Sequence, residues 1–527
     1  MSPDGRFVLA IDLGTSGPKI ALVDREGGVH SSVIESTKLM LLPGGGAEQD
    51  PEDWWRAIVD GTRALLSRST IPPDRIAAVV ATAQWSGTVP VNREGKHIGN
   101  ALVWMDSRGA PHVQRRTGGF PTIEGYNVFR LWRWIRRTGG IPTNSGKDSV
   151  AHILFLKHEK PELYNEAYKF LEPKDYINLR LTGLFASSVE AMTLHWVTDN
   201  RRPLEIEYDH RLIRMLGLDR EKLPDLKLAI DVLGQLTPAT ARELGLPAET
   251  PVVMGTPDLH SAAIGSGAVR DYEAHLYIGT SSWLTCHVPF KKTDIFHNLA
   301  SLPAAIPGRY FVANEQETAG ECVKFLRDRI LFSQEDAFST PAPPDFFDAL
   351  ERTVRQVPAG SGGVLFLPWL YGERTPVEDH VIRGGFLNLG LNANRAYMAR
   401  AVLEGVALNT RWLLKYVEAF IGRRLPSINA IGGGANSAAW CQIFADVLDR
   451  PICQVERPIE ANARGAGLLA WLALGKTTVP RIAESVKIAR RFEPISEHRV
   501  LYDAYFRAFL EAYRASGKVI RRLHARN

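Results

Sequence analysis

Residues 7–24 read FVLAIDLGTSGPKIALVD: an apolar run ending on one acid, a turn spelled Gly-Thr-Ser-Gly, and a second apolar run. Val8, Leu9, Ala10 and Ile11 have the unbroken apolar character of a buried strand, and Ile20, Ala21, Leu22 and Val23 that of a return strand. Gly14 and Gly17 permit the sharp reversal between them. A glycine turn flanked by the hydroxyls of Thr15 and Ser16 directs backbone N–H groups at an anion, and phosphate is the natural guest. Asp12 beside that phosphate makes chemical sense with a divalent cation between the two, and Lys19 adds positive charge. An ordinary hairpin with a hydrogen-bonded strand-end acid fits the same residues, because one Gly-rich turn is weak evidence.

Residues 274–289, AHLYIGTSSWLTCHVP, repeat the pattern, with Gly279, Thr280 and Ser281 standing 265 residues after Gly14, Thr15 and Ser16. Two such hairpins point to two related lobes facing one cleft. Tyr277 occupies the place of Asp12 in the second copy, so the acid is not duplicated and the two turns have different tasks. Upstream, PVVMGTPDLHSAAIGSGAV (251–269) reads as a strand, then Asp258 in a Pro-containing turn, then small residues suited to the floor of a cleft. An acid placed there can accept a proton from a hydroxyl nucleophile; capping the following helix is the other common task of such a residue. His260 has no neighbours at metal-ligand spacing. A third element, NAIGGGANSAAWCQIFADVLDRP (429–451), puts Gly432, Gly433 and Gly434 between a short strand and an amphipathic helix, where a flat ligand or a phosphate can approach backbone.

Composition narrows the class. Apolar residues make up 45% and charged residues 23%, ordinary for a globular chain of 527 residues. A net charge of +5 is too mild to indicate a nucleic-acid partner. Four scattered cysteines with no CxxC pair argue against a disulfide framework or a zinc cluster and suit a reducing cytosol. The start MSPDGRFVLAID lacks the pattern of a signal peptide, and no stretch approaches the ~20 apolar residues of a membrane helix. The expected place is therefore the cytoplasm, with no membrane partner.

Taken in order, IDLGTSGPK, WMDSR (104–108), EPKDYINLRLTGLFAS (172–187), the Pro-Asp at 257–258, IGTSS, LPWLYGERTP (367–376) and IGGGANSAAW resemble the FGGY family of carbohydrate kinases, and most of all its xylulokinase branch. The resemblance implies an α/β fold of two actin-like ATPase (ribonuclease H-like) lobes flanking a central cleft. It implies ATP and Mg²⁺ in that cleft and a small-molecule sugar whose hydroxyl attacks the terminal phosphate. Carried over residue by residue, Asp258 falls on the catalytic base and Asp12 on the acid that helps hold the metal ion. Gly14, Thr15, Ser16 and Lys19 fall on the first phosphate loop, Gly279 and Thr280 on the second, and Gly433, Gly434 and Ser437 on the element receiving the adenosine end. The implied reaction converts D-xylulose to D-xylulose 5-phosphate. Other ketoses or polyols (D-ribulose, an L-ketose, a sugar alcohol) and a non-catalytic sugar sensor on the same fold are the alternatives.

The sugar side departs from that pattern. Where xylulokinases carry Gln-Met-His-Gly, this chain has Gln84-Trp85-Ser86-Gly87: the hydrogen-bonding arm is shorter and a large ring is added. His152 stands where relatives often carry lysine, and Glu190 is a poor match to their acid pattern. Trp85 suits either a sugar face or the core; Asp106, with Arg108, suits either a sugar contact or a structural ion pair. RRTGGFPT (115–122) recurs as RRTGGIPT (136–143) around GYNVFRLWRWI, where Val128, Leu131, Trp132 and Ile135 are expected to form one helical face with the arginines off it. This insert is expected to serve as a lid or as a homodimer contact beside the sugar site. The expected division is an N-terminal lobe over 1–250, a C-terminal lobe over 251–480 and a helical segment over 481–527 that packs back on a lobe with a frayed tip.

Overall fold

The computed structural model describes residues 6–333 and 341–524. The opening stretch forms the expected hairpin, strands β1 (Phe7–Gly14) and β2 (Gly17–Val23), paired antiparallel with Gly14 opposite Gly17. Val8, Leu9, Ala10 and Ile11 are fully buried. Gly17 has φ +132°, and a Cβ there would stand 2.1 Å from the Glu35 carbonyl oxygen, so only glycine closes this turn. Asp12 pairs in register with Lys19 on one side and with Thr82 of the neighbouring parallel strand on the other.

Those strands belong to a six-stranded sheet with β3 (Val29–Ile34), β4 (Ile76–Ala83), β5 (Val232–Gln235) and β6 (Pro251–Pro257), in the order β5-β6-β4-β1-β2-β3. Helix α1 (Pro51–Arg68) joins β3 to β4; Asp50 caps it by accepting the Glu52 N–H, Pro51 opens it, and Trp54, Ile58 and Leu65 face the core. The second lobe has an eight-stranded sheet of β7 (Ala274–Ile278), β8 (Ser282–Val288), β9 (Thr293–Asp294), β10 (Leu299–Pro303), β11 (Tyr310–Ala313), β12 (Ile428–Ile431), β13 (Ile452–Val455) and β14 (Ile488–Phe492). Its order is β9-β10-β11-β8-β7-β12-β13-β14. The run β11-β8-β7-β12-β13 repeats β3-β2-β1-β4-β6 of the first sheet in order and in strand direction.

Two boundaries move. Strand β6, placed with the second lobe on sequence, pairs parallel with β4 in the first sheet, because Val252, Val253 and Met254 are apolar on both faces and fully buried. The residues after 480 are not helical throughout: β14 pairs antiparallel with β13 before the long helix Arg499–His524 begins. The tip expected to fray, residues 525–527, lies outside the described residues.

The lobes meet where helix α3 (Asp258–Gly265) crosses helix α6 (Ala461–Ala473), after α2 (Val128–Thr138), α4 (Arg395–Ile421) and α5 (Ala438–Leu448). A Cβ on Gly265 would fall 1.7 Å from the Ala461 carbonyl oxygen, and one on Gly465 1.8 Å from that of Ser261. The two helices thus touch backbone to backbone. Helix α6 also grips the first sheet, with the Trp471 indole donating to the Val23 carbonyl at 3.2 Å and Arg464 to that of Gly27 at 3.0 Å.

The repeated insert forms a small hairpin (Thr122–Ile123 with Tyr126–Asn127) and then α2, capped by Asn127 and closed at Gly139 with φ +100°. Of the expected face Leu131 is buried and Val128 and Ile135 are half-buried, while Trp134 and Thr138 complete the buried stripe in place of Trp132. Trp132 is 61% exposed. The Trp134 indole donates to the Trp196 carbonyl at 2.9 Å, which fixes the helix with that face inward. Second-lobe groups hold the far end of α2: Lys291 donates to the Ile135 carbonyl and Thr293 to that of Gly139, both at 2.6 Å.

Candidate active site

Asp258 is the first residue of α3, at the tip of β6. Its carboxylate accepts its neighbour's N–H, that of Leu259, at 2.8 Å. Burial, and then the negative charges of Asp12 and Glu315, push its carboxyl up to about 7. Asp12, nearly fully buried at the end of β1, is also raised by burial, against the pull of Lys19 and a hydrogen bond from Asn462. Tyr277, the residue in place of a second acid, has its phenol pushed up by burial and by the charges of Asp258 and Asp12. The second hairpin therefore carries a neutral phenol within the field of the two carboxylates, and the Tyr277 ring stacks on Trp283 with centroids 4.0 Å apart.

The first turn is tied to the end of β4 by a closed relay.

 It runs in four steps. The Trp104 indole donates to Thr15 Oγ1 at 3.0 Å, and that hydroxyl donates to Gln84 Oε1 at 3.1 Å. The Gln84 amide donates to Gln49 Oε1 at 2.8 Å, and the Gln49 amide returns to the Thr15 carbonyl at 2.9 Å. Gln84 and Gln49 are buried, so each amide is held in one orientation. Sequence reasoning named Thr15 and Gln84 but missed Gln49 and Trp104. The signal for Gln49 was its place in EQDPEDWW, directly before the Asp-Pro that starts α1.

Ser86 has φ +64°, and its hydroxyl donates to the Lys147 carbonyl at 2.7 Å. Trp85 is half-buried and packs on a buried apolar cluster. Its indole N–H donates to the Ala191 carbonyl at 3.0 Å, and its ring meets His260 edge-on with centroids 5.3 Å apart. Phe311 of the second sheet packs on the same histidine at 4.3 Å. His260 is thus an aromatic-packed core residue, and burial drives its imidazole toward the neutral form. His152, buried, lies against Thr88 and the Asp106 carbonyl, and burial lowers it to about 4.

Asp106 is corrected as a sugar contact. It is fully buried, and its carboxylate accepts the Ala47 N–H at 2.9 Å and Arg108 Nε at 3.0 Å. That is the structural ion pair. Lys19 donates to the Ile459 carbonyl at 2.7 Å and so reaches the second lobe. Ser16 and Thr280 are exposed at the tips of their turns, and Gly279 accepts the Gly320 N–H at 2.8 Å. A Cβ on Gly433 would meet open space, whereas one on Gly434 would strike Ile278 at 2.3 Å, so the turn is backed by β7 and open on its other side. Ser437 caps α5 by accepting the Trp440 N–H, and its hydroxyl donates to Glu351 at 2.5 Å, so its side chain is engaged within the fold.

Two carboxyls raised chiefly by burial, with the charge of Asp12 adding to the rise at Asp258, are a donor set that a divalent cation would relieve. No group of three or more His, Cys, Asp or Glu side chains able to hold a metal ion occurs among the described residues. An ion at Asp12 would therefore complete its oxygen shell from phosphate and water, the usual arrangement for Mg²⁺.

The repeated strand order, with the two glycine hairpins facing one cleft, defines a two-lobed α/β fold of the actin-like ATPase class. Residues 7–265 match the N-terminal domain, and residues 274–474 the C-terminal domain, of the FGGY family of carbohydrate kinases. The chain belongs to that family, whose members are phosphotransferases with an alcohol group as acceptor. It is 27% identical over 512 residues to a xylulose kinase of Bacillus subtilis, covering 95% of this chain and 96% of that one. It is 24% identical over 511 residues to a gluconokinase of the same organism, covering 96% of each. The fold matches a ligand-bound xylulose kinase from Lactobacillus acidophilus with a TM-score of 0.84 and 24% identity, over 98% of this chain and 99% of that one.

Proposed function

We propose that the protein transfers the terminal phosphate of ATP to a hydroxyl of a ketose, with D-xylulose as acceptor and D-xylulose 5-phosphate as product. The observation that carries this reading is Asp258, a carboxyl raised to about 7 at the cleft floor, with a second acid at the phosphate hairpin opposite. In its ionised form Asp258 takes the proton of the acceptor hydroxyl as that oxygen bonds to phosphorus, while the bond from phosphorus to the ADP oxygen breaks. Asp12 would hold Mg²⁺, which supplies charge neutralisation to the phosphates when bound. Backbone N–H groups at Gly14, Thr15, Ser16, Gly279 and Thr280 hold the phosphates, with Lys19 adding charge, and the open side of Gly433–Gly434, beside Ser437, receives the adenosine end. The loop Gln84-Trp85-Ser86 lines the acceptor side. The Gln84–Thr15 bond makes the acceptor loop and the phosphate turn one rigid unit, which suits a reaction that depends on positioning.

The first lobe in this reading runs through α3 and carries both acids, and the second carries the other hairpin and the adenosine turn. Exposed Phe120, Phe129 and Trp132 of the insert are the contact of a homodimer, checked by sedimentation of the insert-deleted chain. Among the described residues no helix is long and apolar enough to cross a membrane, and all four cysteines are free and buried, which supports a cytoplasmic place. Incubation with Mg-ATP and D-xylulose, followed by mass spectrometry, tests the reading. The expected product is heavier than the sugar by one phosphoryl group; absence of a phosphorylated sugar with every ketose and polyol offered would overturn it.

A further inference from the structure

The cleft wall beyond Ser86 carries charges that the transfer step above does not use. Lys147 is anchored there, since its carbonyl receives the Ser86 hydroxyl at 2.7 Å. Its ammonium has no hydrogen-bond or ion-pair partner among the described residues, and it stands 5.5 Å from the centre of the Tyr371 ring on the second lobe. Arg374, three residues on, pairs with Glu317 at 2.9 Å and with Glu315. Buried Glu373 fixes this trio by accepting the N–H of Glu317 at 3.1 Å and that of Arg374 at 2.8 Å, while Asn409 donates to its other oxygen. The same groups set the field around Lys147: burial lowers it, Arg374 adds to that, and Glu317 and Glu315 oppose it. Glu315 also raises Asp258, so its charge is felt by both the lysine and the proposed base.

Two cations face two carboxylates in this wall, and Glu373 behind them, its carboxyl raised to about 7 by burial, adds no positive charge, so the wall carries no net cation. An anionic acceptor gains no net cation from it and meets the negative charge of Asp258 and Asp12 beyond. A neutral polyhydroxy compound finds ammonium and guanidinium donors for its oxygens and carboxylate acceptors for its hydroxyls. We propose that Lys147 from one lobe and the Arg374–Glu317 pair from the other grip the acceptor beside Ser86, and that this balanced wall selects a neutral ketose or polyol over a sugar acid. The inference rests on the kinase reading above.

The test uses the full chain with Mg-ATP and compares D-xylulose, xylitol and D-gluconate in wild type, Lys147→Met, Lys147→Arg and Glu317→Gln. Loss of one charge-assisted hydrogen bond raises the acceptor KM roughly 10- to 100-fold in Lys147→Met. The KM for ATP stays within about twofold, and the melting temperature moves by no more than about 2 °C, because the ammonium has no hydrogen bond or ion pair to lose and only the Tyr371 ring beside it. Lys147→Arg restores part of the acceptor affinity, and Glu317→Gln weakens neutral acceptors and narrows their lead over gluconate. An unchanged acceptor KM in Lys147→Met, with D-xylulose still phosphorylated, overturns this inference alone. A wild type that prefers D-gluconate overturns the selection for neutral acceptors. A wild type that phosphorylates none of the three overturns the kinase reading and this inference with it.

Discussion

Substituting Gly465 by alanine probes the joint on which the cleft depends. The new Cβ would lie 1.8 Å from the Ser261 carbonyl oxygen, and contacts under 3.0 Å essentially never occur. Backbone occupies both sides, so no side chain can swing aside, and the helices α3 and α6 have to part by about 1.2 Å. Ser261 lies one helical turn from Asp258, and its hydroxyl donates to Thr82 of β4 at 2.8 Å, so the displacement reaches the proposed base. Overpacking of this kind costs about 1–3 kcal/mol. Spread over the unfolding entropy of one lobe or both, that lowers the melting temperature by about 1–6 °C. A shift of about 1 Å in the base also cuts kcat by roughly 100-fold. Thermal unfolding followed by circular dichroism, with steady-state kinetics on the same preparation, measures both. A Gly465→Ala protein with wild-type melting temperature and wild-type kcat would refute the claim that α3 and α6 meet backbone to backbone.

Further consequences follow from the same geometry. Gln49→Leu removes the acceptor of the Gln84 amide and the donor to the Thr15 carbonyl; it should cost about 1–3 kcal/mol and raise the KM for ATP, measured by urea unfolding and kinetics. Asp258 works as a base only when ionised, so kcat/KM for the acceptor should rise as pH increases through about 7. Glu315→Gln should move that limb to lower pH, since Glu315 is one of the charges raising Asp258; a limb that stays in place contradicts the assignment. Glu172, buried against Ser149 and the Gly87 N–H, is raised to about 8, so its neutral form favours the fold at low pH and that support is lost as pH rises toward 8. Glu172→Gln should therefore gain on wild type by up to about 1.4 kcal/mol per pH unit between pH 5 and 8, read from urea midpoints.

Much of this fold could be read from two short stretches, because a phosphate-type hairpin needs apolar strands and glycines in a fixed local order. Gly14 and Gly17 are such residues, and their pairing in β1 and β2 is local. The places where sequence reasoning failed depend on distant partners. Strand β6 joined the first sheet through parallel pairing with β4, more than 160 residues earlier in the chain, which no local pattern encodes. Trp132 and Trp134 look alike in sequence; the carbonyl of Trp196 decides which one turns inward. Asp106 reads equally as ligand or ion pair until Ala47 and Arg108 are seen to occupy it. Lys147 carries no motif at all, and only its position against Ser86 and Tyr371 brings it to notice.

The central claim is that Asp258 activates a sugar hydroxyl for phosphoryl transfer. A coupled ADP-release assay with Mg-ATP and a panel of ketoses and polyols, run on wild type and Asp258→Asn, tests it most directly. The account expects a sugar that stimulates ADP release by wild type and a loss of roughly 100-fold or more in the asparagine variant, with ATP binding retained. Sugar-stimulated turnover that survives in Asp258→Asn would contradict it.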